Sequence, residues 1–518
     1  MTSGGPGRDG GAGNGRSAAG RAWGIRATIL AGVGAAFHVS MFPPFGWTWL
    51  TWLAPLPVFL LLPAPSAWAA VGATWAFGTL WALGVVAPWM TPALHALFDL
   101  SPLETAALLL AVCQGGLPFA ALGLLLHAGR PRSALARVLY APAVWVAVEY
   151  GRSHVPFGTP WALLGSALAE APTVGQVADL GGAYALSFLA ALASAAAAEV
   201  VRGGRRAAAA ALVAATVLVA ALGYGGLRGA AVRAEMRRAP VARVALVHAE
   251  IPNAERRSPA DALAALDRYL ALEPGPEAAL DLVVWPENAV ALLLEENPAL
   301  VARIGAGGRG RPHLIGAPRT VVADGAAALR ASAFLVADGA IAGVYDKHRL
   351  LPLAETMPAF GGGGLRLARG FSAGHGAAVL DAGGLRLGPL ICYELIFPEL
   401  PRAAVRAGAE LLVNVSNDSW FRPGAGPRQH FLFGRLRAVE LRRTLVRAAN
   451  RGPTAVVLPD GTTALTTDGT TPGVEIAAVP LLDGLTLYAR VGDAFAWLCI
   501  AAVAGRLATG ARRRARGA

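Results

Sequence analysis

The chain has 518 residues, 55% of them hydrophobic and 15% charged, which is too apolar for an ordinary soluble protein. Its formal charge is +12, nearly all of it arginine, but the arginines flank long apolar runs, so no nucleic-acid surface is expected. The three cysteines, Cys113, Cys392 and Cys499, are too few and too badly placed for a disulfide framework; no cysteine or histidine cluster suggests a metal, and no cofactor is expected.

Residues 1–22, rich in Gly, Ser and Arg, read as a disordered cytoplasmic tail. Residues 23–230 carry seven apolar stretches, near Ala27–Val39, Trp47–Leu62, Ala67–Trp89, Leu103–Ala128, Ala134–Val148, Ala183–Val200 and Ala207–Leu227. An eighth lies near Ala494–Thr509, within 489–509, before a basic tail at 510–518. A bilayer crossing needs ~20 residues, so this pattern predicts about eight transmembrane helices. Arg130 and Arg132, Arg202 to Arg206, and the terminal arginines fall on one side of such a topology, the side of the N-terminus. By the positive-inside rule that side is cytoplasmic, and residues 241–482 lie outside; Arg228, Arg233, Arg237 and Arg238 run against the trend. Glu149 and Arg152 end the fifth stretch and are expected to pair with each other.

Residues 241–482 read as an α/β domain. Short β-type runs recur at Val244–Val247, Leu282–Trp285, His313–Ile315, Ala333–Val336, Leu385–Cys392, Leu411–Val415 and Ala455–Leu458, with helical stretches at Pro259–Leu272 and Gln429–Arg443. Gly361–Gly364 and its surroundings predict a mobile loop.

Three segments share one layout, an apolar strand delivering a reactive side chain at its end: Leu282–Glu287, Val344–Lys347 and Gly388–Glu394. Strand ends are where open α/β sheets place their sites. A carboxylate, Glu287, an amine, Lys347, and a thiol, Cys392, form a chemically complete set: a base, a cation for an oxyanion, and a nucleophile. Lys347 is the only lysine among 45 lysines and arginines. A solvated surface cation tolerates either residue, whereas a compact ammonium aimed at an oxyanion does not tolerate a planar guanidinium. The helix-like Leu395–Ala407 after Cys392 is expected to lower the thiol pKa through its N-terminus. Asn414, Asn417 and Asp418 are expected to shape the loop beside the nucleophile, and His430 to pack or cap.

The segments WPEN, YDKHRLLPLAE, ICYELIFPEL and NVSNDSWF, with GPRQHFLFGRLRAVELRRTLVRAANRG downstream, resemble the carbon–nitrogen hydrolase (nitrilase) superfamily. With FPPFGWTWLTWLAPLP, VEYGRSHVPFGTPWALLG and TLYARVGDAFAW, the chain is similar to its membrane-embedded branch, the apolipoprotein N-acyltransferases. The resemblance implies a polytopic α-helical membrane domain plus a nitrilase-like αββα sandwich, with a Glu–Lys–Cys triad at Glu287, Lys347 and Cys392. It places a further functional carboxylate on Glu355 and the Tyr–Glu pair after the nucleophile on Tyr393 and Glu394. Where that family often has a tryptophan after the first strand, this sequence reads Asn253-Ala254-Glu255-Arg256-Arg257.

The implied activity is ping-pong transfer of a fatty acyl chain from a phospholipid, through a cysteine thioester, to the N-terminal amine of a diacylated lipoprotein. The implied setting is the bacterial cytoplasmic membrane, with a multi-pass monomer whose catalytic domain faces the periplasm. A membrane-anchored amidase with water as acceptor is the nearest rival, and a transporter or scaffold with an inactive outer domain the more distant one.

Overall fold

The structure, a computed structural model, describes residues 11–62, 64–98, 100–155, 158–252, 258–275, 277–323, 326–352, 355, 370–421 and 424–515. The Gly-rich loop at 361–364 and the departure at 253–257 lie outside these residues.

The N-terminal part is helical: α1 (Gly11–Ser40), α2 (Leu56–Leu60), α3 (Ala67–Val85), α4 (Ala87–Phe98), α5 (Pro102–Cys113), α6 (Leu117–Ala128), α7 (Ala134–His154), α8 (Ala178–Arg202) and α9 (Arg205–Met236). The first of these starts inside the segment read as an unstructured tail. Among the described residues, six helical stretches are long and apolar enough to cross a membrane: Gly20–Ser40, Ala67–Val85, Pro102–Ala128, Val174–Arg202, Arg205–Met236 and Ala494–Arg512. Two of the eight expected spans differ. Trp47–Leu62 breaks into a 3-10 turn and the five-residue α2, with Pro55 and Pro57 at the junction removing backbone donors. The 21-residue α7 carries Arg137, Glu149 and Arg152, which are expensive to place in hydrocarbon.

Glu149 and Arg152 do not pair with each other. The Glu149 carboxylate accepts from Leu164 N at 2.7 Å, while Arg152 donates to the carbonyls of Trp161 (2.8 Å) and Ala162 (3.0 Å). That loop, buried without a ladder of its own, takes its hydrogen bonds from α7 instead.

The second part starts with β1 (Val241–His248), α10 (Pro259–Ala271), β2 (Leu282–Val284), α11 (Pro298–Gly308), β3 (His313–Ala323), β4 (Ala326–Ala337) and β5 (Ala340–Asp346). It continues through β6 (Leu380–Ala382), β7 (Leu385–Ile391), α12 (Glu399–Arg406), β8 (Leu411–Asn417), α13 (Ala425–Leu441), β9 (Thr444–Asn450), β10 (Ala455–Val457), β11 (Thr463–Thr466) and β12 (Gly473–Pro480). Two six-stranded sheets result, ordered β12-β1-β2-β3-β4-β5 and β11-β10-β9-β8-β7-β6. Their centres, β1-β2-β3 and β7-β8-β9, are parallel. The sequence ends in the short α14 (Leu487–Val491) and α15 (Ala494–Ala515), which absorbs the start of the expected basic tail.

Alternation along the strands stacks the sheets. Leu387, Ile391, Leu411, Val413, Val415, Val446 and Ala448 point inward to meet Val244, Leu246, Val284 and Leu335 of the other sheet. Ala245, Val247 and Val283 point outward onto α10 and α11, completing one outer layer. On the opposite face Leu390, Leu412 and Leu445 join α13, α7 and α8 in a single cluster. The αββα sandwich is therefore fused to the helical part through α13.

Buried charges reinforce this seam. Asp179 accepts from Tyr224 Oη (2.7 Å), Arg228 Nε (2.9 Å) and Arg442 Nη2 (2.8 Å). Arg228, one of the arginines that run against the orientation trend, is thus ion-paired, as is Arg233 with Asp460 at 3.7 Å. Arg442 is 2% exposed, so Asp179→Ala strands it without a counter-charge. That substitution is expected to cost ~3–5 kcal/mol, read as a clear drop in the thermal unfolding midpoint of the detergent-solubilised protein. An unchanged midpoint would mean the seam does not depend on this cluster.

Candidate active site

The three reactive side chains converge because their strands end at one edge of the sandwich. Glu287 follows β2, Lys347 follows β5 of the same sheet, and Cys392 follows β7 of the other. Gly316 on β3 lets Glu287 approach: a Cβ there would lie 2.4 Å from Glu287 Cα and 2.6 Å from the Pro286 carbonyl oxygen.

Lys347 is buried, and its Nζ donates to Glu287 Oε1 at 3.0 Å and to Glu355 Oε1 at 2.7 Å. The other Glu287 oxygen accepts from Asn417 N at 3.0 Å, at the end of β8. The Cys392 thiol and the Glu287 carboxyl influence each other's titration. Glu355 Oε2 accepts from Leu351 N at 2.7 Å, tying the carboxylate back to the segment after the lysine.

Burial alone would lower the Lys347 pKa, but the Glu287 and Glu355 carboxylates raise it well above the ordinary amine value, so the side chain stays a cation. Burial raises the Glu287 carboxyl, with Lys347 opposing. The thiol departs from expectation. Burial, and then Glu287, push Cys392 far above the ordinary cysteine value, with Lys347 opposing. No helix N-terminus offsets this, because Cys392–Ile396 is a single 3-10 turn and α12 starts only at Glu399. The resting sulfur is protonated and carries its proton toward the carboxylate that can remove it.

Cys392 has φ +50°, a left-handed conformation that costs a non-glycine residue ~1–3 kcal/mol. The neighbourhood holds it there. His430 on α13 places Nε2 3.1 Å from the Cys392 carbonyl, an acceptor only, so that nitrogen carries the hydrogen. Burial and Arg447 lower the His430 pKa while Asp418 raises it, and Nδ1 stands 3.3 Å from both Arg447 Nη2 and Asp418 Oδ1. Arg447 in turn donates to Asn414 and, at 2.5 Å, to Asp418. Burial would raise the Asp418 carboxyl, but Arg447 and His430 hold it at about 2. His430 thus caps a backbone carbonyl, and Asn414 and Asp418 lie beside Cys392 as anticipated.

Glu394 works as a brace. Its fully buried carboxylate accepts from Ile391 N (2.7 Å), His348 N (2.7 Å), Arg349 N (3.1 Å) and Tyr345 Oη (2.9 Å to each oxygen). The residue before the thiol and the residues after the amine are therefore bound to the same group. The Tyr393 ring meets Phe397 edge-on at 5.0 Å and packs between the inter-sheet core and the cluster shared with the membrane helices. Arg447 and Asn450 were missed. Asn450 donates to Asn417 Oδ1 (3.0 Å) and to the Ile251 carbonyl (2.8 Å), and only the tertiary pairing of β8 with β9 gives either residue meaning.

With the thiol neutral at rest, its alkylation needs Glu287 as proton acceptor. Iodoacetamide labelling of the Cys392 peptide, followed by mass spectrometry, is expected to slow by ~100-fold or more in Glu287→Gln. In the native protein it should fall as pH drops through the raised Glu287 pKa, above the ordinary value of ~4.3, because the protonated acid cannot accept. Equal labelling of both proteins would overturn this electrostatic reading.

Comparison with known proteins agrees with the architecture. The family model described as carbon-nitrogen hydrolase matches residues 243–484, and that described as apolipoprotein N-acyltransferase N-terminal domain matches 34–196. The apolipoprotein N-acyltransferase of Geobacter metallireducens is 34% identical over 392 residues, covering 72% of this chain and 74% of its own. That of Azotobacter vinelandii is 32% identical over 445 residues, covering 82% and 83%. Among solved structures, Nit3 of Saccharomyces cerevisiae, a nitrilase-superfamily member, is similar over 46% of this chain and 90% of its own, at 18% identity and a TM-score of 0.36. The chain, carrying both the membrane part and the nitrilase-like domain, belongs to the apolipoprotein N-acyltransferase family.

Proposed function

We propose that the chain transfers a fatty acyl group from a phospholipid, through a thioester on Cys392, to the N-terminal α-amine of the diacylglyceryl-cysteine of bacterial lipoproteins. The observation that carries this reading is the cluster of thiol, carboxylate and ammonium beneath the seam where the sandwich meets the membrane helices. The relatives' names supply the class of acceptor.

In the first half-reaction Glu287 takes the thiol proton as sulfur bonds to the ester carbonyl carbon. Negative charge gathers on the carbonyl oxygen, facing the Lys347 ammonium and the Tyr393 backbone N–H. Lys347 serves as electrostatic partner and not as base, since its neighbours keep it charged. Collapse breaks the ester C–O bond, the departing lysophospholipid oxygen takes the proton from Glu287, and the thioester remains. In the second half-reaction the acceptor amine attacks the thioester, Glu287 removes its proton and passes it to the departing sulfur, and an amide is released. Glu355 holds the far side of the ammonium so that its charge points at the oxyanion.

Both substrates keep their acyl chains in the bilayer, which fits a thiol placed at the seam. Arg130 and Arg132, the arginines of 202–206 and those of the C-terminal end support a cytoplasmic position for the far ends of the helices, and with it a periplasmic position for the catalytic domain. One chain supplies every group named, which supports action as a monomer.

The purified protein incubated with phospholipid alone is expected to gain an acyl adduct on the Cys392 peptide. The adduct should be labile to hydroxylamine, absent in Cys392→Ala, and discharged as an amide when a diacylated lipopeptide is added. Full transfer by Cys392→Ala would overturn the scheme, and discharge only to water would favour the amidase reading.

A further inference from the structure

The helix ends farthest from the sandwich hold a charge cluster that acyl transfer does not use. Near the seam, Arg152 on α7 binds the Trp161 and Ala162 carbonyls and Ala183 on α8 donates to Glu440 of α13. At the other ends of the same helices stand Arg137, about 22 Å along α7 from Arg152, and Arg202. Between them Glu199, almost fully buried, accepts from Arg137 Nε (2.9 Å) and Nη2 (2.6 Å) and pairs with Arg202.

Both guanidiniums are fixed further by backbone. Arg202 donates to the carbonyls of Phe59 (2.6 Å) and Leu62 (2.7 Å), and Arg137 to that of Arg132 (2.7 Å). A third arginine, Arg130, stands at the rim, its loop held by Arg506 donating to the Gly129 carbonyl at 2.8 Å. Among the described residues the Arg130 side chain has no hydrogen bond or ion pair. Three guanidiniums therefore face one carboxylate, and the corner keeps a positive surplus.

These residues, with Tyr140 and Leu126, line a recess of about 30 Å³. That admits one or two water-sized atoms, which suits the free oxygens of a phosphate. Outside it, Leu124, Leu135 and Leu139 of α6 and α7 present exposed apolar side chains. Preorganised guanidinium forks suit phosphate oxygens, and basic pockets between membrane helices suit acidic headgroups. We infer that Arg130, Arg137 and Arg202 bind the phosphate of an anionic phospholipid whose tails lie along α6 and α7, at a site separate from the one that reacts at Cys392.

Native mass spectrometry of the full-length protein, titrated with phosphatidylglycerol and with phosphatidylcholine of matching chains, tests this directly. Phosphatidylglycerol is expected to bind about fivefold or more tightly than phosphatidylcholine, and Arg130→Gln to remove about fivefold of that affinity. Arg132→Gln, on the same loop but outside the recess, is expected to retain it, and excess inorganic phosphate to leave the lipid in place. Equal binding of the two lipids, equal losses in the two variants, or displacement by inorganic phosphate would each overturn the proposal. Acyl transfer by Arg130→Gln should match the native protein, which separates this test from that of the catalytic scheme.

Discussion

An ammonium group in a dry interior survives only if carboxylates reach it, and Lys347 is reached by two, at 3.0 Å and 2.7 Å. That contact fixes much of what surrounds it. Glu287 must sit where β2 ends, which requires Gly316 beneath it, and must also accept from Asn417. Glu355 must fold back from the segment after β5. The thiol is then surrounded by carboxylates and burial, which keep its proton on, while the Lys347 ammonium opposes them. Burial and the Glu287 charge both favour the protonated Cys392 thiol over the thiolate.

Geometry of this kind tolerates little movement, and the bracing comes from both sides of the thiol. Glu394 binds the strand before the cysteine to the loop after the lysine, so that the two sheets carry one site. His430 caps the Cys392 carbonyl from α13, and α13 is the layer shared by the sandwich and the membrane helices. Trp161 of the helical part donates to Gln429 at 2.8 Å, one residue before His430. The path from a loop of the helical part to the backbone of Cys392 is thus a few side chains long.

The convergence of Glu287, Lys347 and Cys392, with Glu394 beside them, was legible because each follows an apolar strand, and Lys347 stood out as a lone amine in an arginine-rich chain. All seven expected β-type runs start inside observed strands. Those overlooked had weaker signals. β9 carries Arg447 in its middle, a residue that breaks an apolar run until Asp418 and Asn414 of β8 and its loop are placed beside it. β12 is an edge strand in which exposed and half-buried residues alternate with little apolar contrast. Glu149 and Arg152 are one helical turn apart and suggested a pair, yet each serves a loop that local spacing cannot reveal. The thiol pKa was misjudged for the same reason: the helix expected from Leu395 starts only at Glu399, and burial depends on the second sheet.

The central claim is that a compact ammonium, and not positive charge alone, is required between Glu287, Glu355 and the thiol. Single-turnover formation of the acyl-enzyme from phospholipid by Lys347→Arg measures this most directly. The account predicts a folded protein in which the adduct on Cys392 forms at least ~100-fold more slowly, because the planar guanidinium displaces the carboxylate that must take the proton. Formation at the native rate would contradict it.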